Sequence, residues 1–250
     1  MKKQYNLIIT ALLISMMIGS VQAQTPAKNT AGDMSVDEII KKSVAATSPK
    51  AAADKIKTRV VKGTISVPSQ GINGTLEVYV KWPNKIYSTA NLSGIGEIQE
   101  GFDGQIGWGK NPFTGLREKS GTQLAIAKRE ADQNALANWK TYFTKAEITG
   151  SEKVGDSDTY VVKFTKGDEK PVTMYFDKKT FYVVRQDSTQ ESPEATLPVS
   201  SYDSDFRTVD GVIVPFESRQ ESSSLTFVIK VTEVKHNVPI EDSKFTKPAN

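Results

Sequence analysis

The sequence predicts an α+β fold, a large curved antiparallel sheet closed into an incomplete β-barrel, with helices covering its concave face. Three observations carry that reading. Residues 72–82 alternate: Ile72, Gly74, Leu76, Val78, Val80 and Trp82 form one face, and Asn73, Thr75, Glu77, Tyr79 and Lys81 form the other. From Thr58 onward, short β-branched runs are separated by turn signals such as Asp103-Gly104 and Asp210-Gly211. Only one long stretch, Thr122 to Phe143, is rich in Ala, Leu, Lys, Arg, Glu and Gln without any Gly or Pro. About ten or eleven strands are expected, and a sheet that broad cannot stay flat because strand twist accumulates.

The elements follow in chain order. Lys2 and Lys3 precede an apolar run from Leu7 to Ile18, and Val21-Gln22-Ala23 offers small residues at the positions a signal peptidase reads. A secretory signal peptide over 1–23, cleaved after Ala23, is expected. Its apolar core falls short of the ~20 residues that span a bilayer. Residues 24–34 read as a flexible leader, and 35–250 as one domain. Ser35 with Glu38 forms a capping box, with Val36, Ile39, Ile40 and Val44 at helical spacing, so a helix should run to about Thr47. A short helical turn is expected near Ala51 to Ile56.

Strands are then predicted over 59–67, 72–82, 85–92, 96–102 and 105–108, the first two joined by Pro68-Ser69-Gln70-Gly71. Thr122 to Phe143 reads as a helix or two short ones, with Leu136, Trp139 and Phe143 on one side. Strands resume over 147–154, 159–165, 172–177 and 181–187. Gln190 to Pro198, with Ser, Pro and Glu, reads as a surface loop. Strands over 200–207, 212–220 and 225–235 complete the sheet.

Composition excludes several function classes. The formal charge of +3, less Lys2 and Lys3, leaves a mature chain of +1 with no basic block, so no nucleic-acid partner is expected. There is no Cys, which removes disulfides, thiolate metal sites and thiol nucleophiles, and His236 is the only histidine. No cofactor and no metal are expected. Asp203 and Asp205 could meet a hard cation, but at strand spacing they are expected to project from one solvated face.

The order of strand, Lys81-Trp82-Pro83-Asn84, strand, Phe102-Asp103-Gly104, Trp108 and Asn111-Pro112-Phe113 resembles the LolA-type periplasmic lipoprotein carriers and the wider group of outer-membrane lipoprotein-sorting proteins. Lys244-Phe245-Thr246 and Pro248 extend the likeness. The resemblance implies a periplasmic, non-catalytic monomeric carrier whose hydrophobic groove, between sheet and helical lid, takes the acyl chains of lipoproteins or other lipid. It also implies transient exchange with membrane-protein donors and acceptors. Candidate groove residues are Leu76, Val78, Val80, Trp82, Ile86, Ile98, Phe102, Trp108, Phe113, Leu136, Trp139 and Phe143. In one place the chain departs from the pattern: those carriers place a lid-tying arginine before Pro-Asn, and here Trp82 stands there, without the guanidinium's bidentate donors. Trp82 is expected to pack against the segment bearing Leu136, Trp139 and Phe143. A rival reading is a sensor or interaction module, in which the same sheet recognises a protein or lipid signal without transporting it; an enzyme is the remaining alternative.

Overall fold

The structure is a computed structural model that describes residues 34–191 and 196–249. The expected signal peptide, and all but the last residue of the leader, lie outside the described residues. Helix α1 (Val36–Thr47) starts as its sequence dictates. The Ser35 hydroxyl accepts from the Glu38 N–H at 3.2 Å, and the Glu38 carboxylate accepts from the Ser35 N–H at 2.7 Å. Ile39, Ile40, Ser43 and Val44 form its buried face. A single turn, α2 (Lys50–Ala53), follows.

Thirteen strands form one antiparallel sheet: β1 (Thr58–Val67), β2 (Ile72–Lys81), β3 (Lys85–Leu92), β4 (Gly96–Phe102), β5 (Gly107–Asn111), β6 (Gly115–Glu118), β7 (Lys145–Val154), β8 (Ser157–Thr165), β9 (Val172–Asp177), β10 (Val183–Glu191), β11 (Thr196–Val209), β12 (Val212–Ser222) and β13 (Thr226–His236). The order is β6-β5-β4-β3-β2-β1-β13-β12-β11-β10-β9-β8-β7. The chain therefore steps outward from β1 to one edge, crosses to the opposite edge, and steps back until β13 pairs with β1. That crossing is α3 (Gly121–Ala131) and α4 (Trp139–Tyr142). A segment tying the two edges of one curved sheet together has to pass over its open side, which makes it a lid by topology.

The structure has two strands beyond the expected range, and both ends of the expected loop 190–198 are paired strand, its residues 192–195 lying outside the described residues. β6 is four residues long, too short to show a period. In the segment expected as a loop, Glu191 pairs with Thr196 and Thr189 with Pro198, so β10 and β11 form an extended hairpin. Pro198 is tolerated because β12 begins pairing with β11 only at Val199, so no neighbour on that side needs its N–H.

The inner face, which carries α3, holds two apolar clusters. The first joins Val61, Ile65, Leu76, Val78, Val80, Ile86, Ile98 and Phe102 with Val214, Phe227 and Ile229, under Ala127 and Ala131 of α3. The second joins Ile39, Ile40 and Val44 of α1 with Leu136, Phe143, Val162, Phe164, Met174 and Phe176. A third, smaller cluster of Tyr87, Trp108 and Phe245 lies on the outer face.

Candidate functional site

Strand register explains why the inner face is split. Val162 pairs with Met174, Met174 with Gln186, Gln186 with Ser201, Ser201 with Gln220, and Gln220 with Phe227. One row across six strands thus runs apolar, apolar, amide, hydroxyl, amide, apolar. Ser188 and Gln190 extend the polar strip along β10, and Asp203 and Ser218 face each other beside it. Ser201, Ser218 and Gln220 are buried. The strip separates the two apolar clusters.

Over this strip lies a cavity of about 500 Å³, within the range of small-ligand pockets. Thr122, Ile126, Arg129 and Glu130 of α3 and Phe143 after α4 roof it; Gln186, Ser188, Gln190, Val199, Ser201 and Gln220 form its floor, and the turn 166–170 its rim. The Arg129 guanidinium lies 5.2 Å from the Phe143 ring centroid. Burial pushes the Glu130 carboxyl up to about 7, and Lys119 and Arg129 pull it down by less. A second cavity of about 80 Å³ shares Gln186 and Ser201 with the first and reaches α1 through Ser43, Thr47 and Ser48. Arg59 and Asp203 line it, and burial pushes Asp203 up to about 6.

Of the expected groove residues, Leu76, Val78, Val80, Ile86, Ile98 and Phe102 do stand together on the inner face, packed beneath α3, and Trp82 packs against the same cluster. They lie to one side of the 500 Å³ cavity, and of the expected residues only Phe143 lines it. Leu136, Trp139 and Phe143 meet one another as their spacing predicts, but in the second cluster, against α1. The expected contact between Trp82 and those three is therefore corrected. Trp82 is half-buried, with the Arg59 guanidinium 5.2 Å from its ring, because Arg59 pairs in register with Val80 and sits diagonally beside it. Trp82→Ala is accordingly expected to cost about 1–3 kcal/mol, less than a fully packed tryptophan would. A urea midpoint indistinguishable from that of the parent would overturn this placement.

Two further candidates are corrected outright. Trp108 points to the outer face: it pairs with Gly101, which pairs with Tyr87, which pairs with Tyr79. Phe113 is exposed at the turn after β5, where the Asn111 carboxamide oxygen accepts from the N–H groups of Phe113 and Thr114, each at 2.9 Å. Nor do Asp203 and Asp205 share a solvated face. Asp205 has φ of 51°, breaks the alternation, and bonds to Arg207 on the surface while Asp203 lines the small cavity. His236 is buried between the Arg59 Nε–H, which donates to it at 2.8 Å, and Asp210.

The polar strip was missed, although β10 carries its signal: Val183-Val184-Arg185-Gln186-Asp187-Ser188-Thr189-Gln190-Glu191 has no apolar alternation after Val184. A central strand without an apolar face marks a site where the inner surface is not simply core.

No family model and no curated protein sequence matches the chain. Its architecture is similar to that of a DUF1329 family protein from Desulfovibrio piger, at TM-score 0.56 and 14% identity over 84% of this chain and 97% of that one. It is also similar to a LolA superfamily protein from Nitrosomonas europaea, at TM-score 0.54 and 18% identity over 86% and 99%. A domain described as an outer membrane lipoprotein-sorting protein from Vibrio parahaemolyticus superposes at TM-score 0.53 and 10% identity over 84% and 96%. The chain therefore has a LolA-like fold, an open antiparallel sheet with helices across its mouth.

Proposed function

We propose that the chain is a non-catalytic carrier, exported to the periplasm as a single half-barrel domain over 35–250, that shelters acyl chains of a lipid or lipoprotein between its inner sheet face and the α3–α4 lid. The observation that carries this is the 500 Å³ cavity roofed by Ile126 and Phe143 and bordered by Val172 and Val199, with Phe143 and Val172 belonging to the second apolar cluster. The lid is also lightly held. The fully buried residues of α3 are Ala127 and Ala131, so the helix itself anchors with little apolar area of its own. Each buried methylene contributes about 0.8 kcal/mol, so half of a sixteen-carbon chain gains roughly 6 kcal/mol before ordering costs. Affinities near tens of micromolar suit a carrier that must release its load.

An environment-sensitive fluorescent fatty acid is expected to bind the delipidated protein and to be displaced by diacyl lipid. Ile126→Asp, which puts a charge in the cavity roof, is expected to weaken probe binding at least tenfold without shifting the denaturation midpoint. Ile106→Asp, on an exposed residue of the β4–β5 turn, should change nothing. Absence of probe binding, or equal binding by the Ile126 and Ile106 variants, would refute the carrier reading.

A further inference from the structure

We infer that the cavity selects a neutral, hydrogen-bonding linkage on its acyl ligand, the ester and hydroxyl groups of a glyceride, and holds it on Gln186, Gln190 and Ser201; this rests on the carrier reading above. A floor for hydrocarbon alone needs no amides. Burying a hydroxyl costs free energy unless it finds a partner, yet Ser201 is 8% exposed on this floor, beside the Gln186 amide. Nearby, the Gln190 side-chain oxygen is buried and accepts no hydrogen bond among the described residues. An incoming O–H or N–H has an acceptor waiting there, and the amide N–H groups of the glutamines can donate to an ester carbonyl.

The rim argues for a neutral group over an ionised one. On the rim, Lys166 and Lys170 stand with the carboxylates of Asp168 and Glu169, Lys166 paired with Glu169 at 3.0 Å, and Arg129 neighbours the Glu130 carboxyl in the roof. Such a balanced rim gives little net field to favour a carboxylate or phosphate. The row's order places the acyl part as well, because the polar strip ends at Phe227 on one side and at Met174 and Val162 on the other. Chains attached to a linkage seated on the strip meet apolar surface in either direction.

The test is competition against the fluorescent fatty acid on the full mature chain, using a monoacylglycerol, the fatty acid and the hydrocarbon of equal chain length. The monoacylglycerol is expected to compete at least tenfold better than the hydrocarbon, and better than the ionised fatty acid. Gln186→Leu and Ser201→Ala should each reduce the preference over hydrocarbon to under about threefold, while hydrocarbon affinity stays the same. Ser201→Ala removes one oxygen and carries the test alone if Gln186→Leu does not fold. Free diacylglycerol and a diacylglyceryl-cysteine peptide bear the same ester; binding of either supports the assignment, and the tighter one identifies the source. Affinity that ignores the head group, or a preference that survives both variants, overturns the inference and leaves the carrier reading standing. Failure of every acyl compound to bind overturns both.

Discussion

Replacing Trp108 with alanine is expected to destabilise the protein by about 3–5 kcal/mol, because it empties the centre of the outer-face cluster. The indole is 2% exposed, its Nε1–H donates to the Phe245 carbonyl at 2.9 Å, and its ring lies 5.9 Å from that of Tyr87. Around that contact the C-terminal segment is clamped to the sheet. Phe245 is fully buried, Asp242 is paired with Lys81 and Lys85, and the Lys244 ammonium sits 4.3 Å from the Tyr79 ring centroid. Gly101 makes room for the indole, since a Cβ there would come within 2.3 Å of it. Gly101→Ala should therefore be strongly destabilising although it adds one methyl group, because neither backbone nor a buried ring can yield cheaply. Trp108→Phe should fall between, keeping most of the apolar body and leaving the Phe245 carbonyl unpaired at about 1–3 kcal/mol. Urea denaturation of the three variants checks the order; a Trp108→Ala midpoint within error of the parent would contradict the packing described.

That clamp revises the meaning of the sequence pattern that carried the family resemblance. Asn84, Gly104, Trp108 and Phe245 are structural. Gly104, with φ of 102°, closes a turn in which the Asp103 carboxylate accepts from the N–H groups of Gln105 and Ile106, and a Cβ on it would meet the Asn84 carboxamide at 2.9 Å. The motif marks how one side of the half-barrel is tied, while the cavity lies over the strands on the other side of the β1–β13 junction.

Legibility followed periodicity. Residues 72–82 alternate strongly, so the inner direction of Leu76, Val78 and Val80 could be read, and the capping box fixed the start of α1. β5, Gly107-Trp108-Gly109-Lys110-Asn111, flanks its tryptophan with glycines and offers no alternation, and a strand whose face is undetermined by one residue is undetermined altogether. Trp139 and Phe143 were legible as lid residues, but which cluster they joined depends on α1 packing beneath them, a long-range contact with no local trace. Polar composition pulled 190–198 toward a loop reading, whereas a polar inner strip requires polar strands.

Glu100 should make stability fall as pH rises between about 4.5 and 7. It sits on β4 between Ile98 and Phe102, faces the inner side beneath α3, and is 0% exposed, paired with Lys119 just before the helix. Burial raises its carboxyl to about 7; the Lys119 charge lowers it by less, and the nearby Glu130 raises it further. Below about pH 4.5 the folded and unfolded chains both hold this proton, and no difference arises. Between about 4.5 and 7 the unfolded chain ionises freely while the fold retains the proton, so stability drops by about 1.4 kcal/mol per pH unit. Above about 7 both states are ionised and the accumulated loss levels off at roughly 3 kcal/mol. Glu130 and Asp203, both raised by burial, add slopes of the same sign. His236 opposes them: burial and Arg59 hold its pKa below the usual value, so the stability of keeping it neutral is lost as pH falls below about 6.5. The net curve mixes these signs, and the variant comparison separates them. Glu100→Gln removes one titration and should show a gap from the parent that changes by roughly 3 kcal/mol between pH 4.5 and 8, always in the direction of relative stabilisation at the higher pH. Urea curves for both proteins at half-unit pH steps measure that gap, and a gap constant with pH would show that Glu100 keeps an ordinary carboxylate pKa beneath the lid.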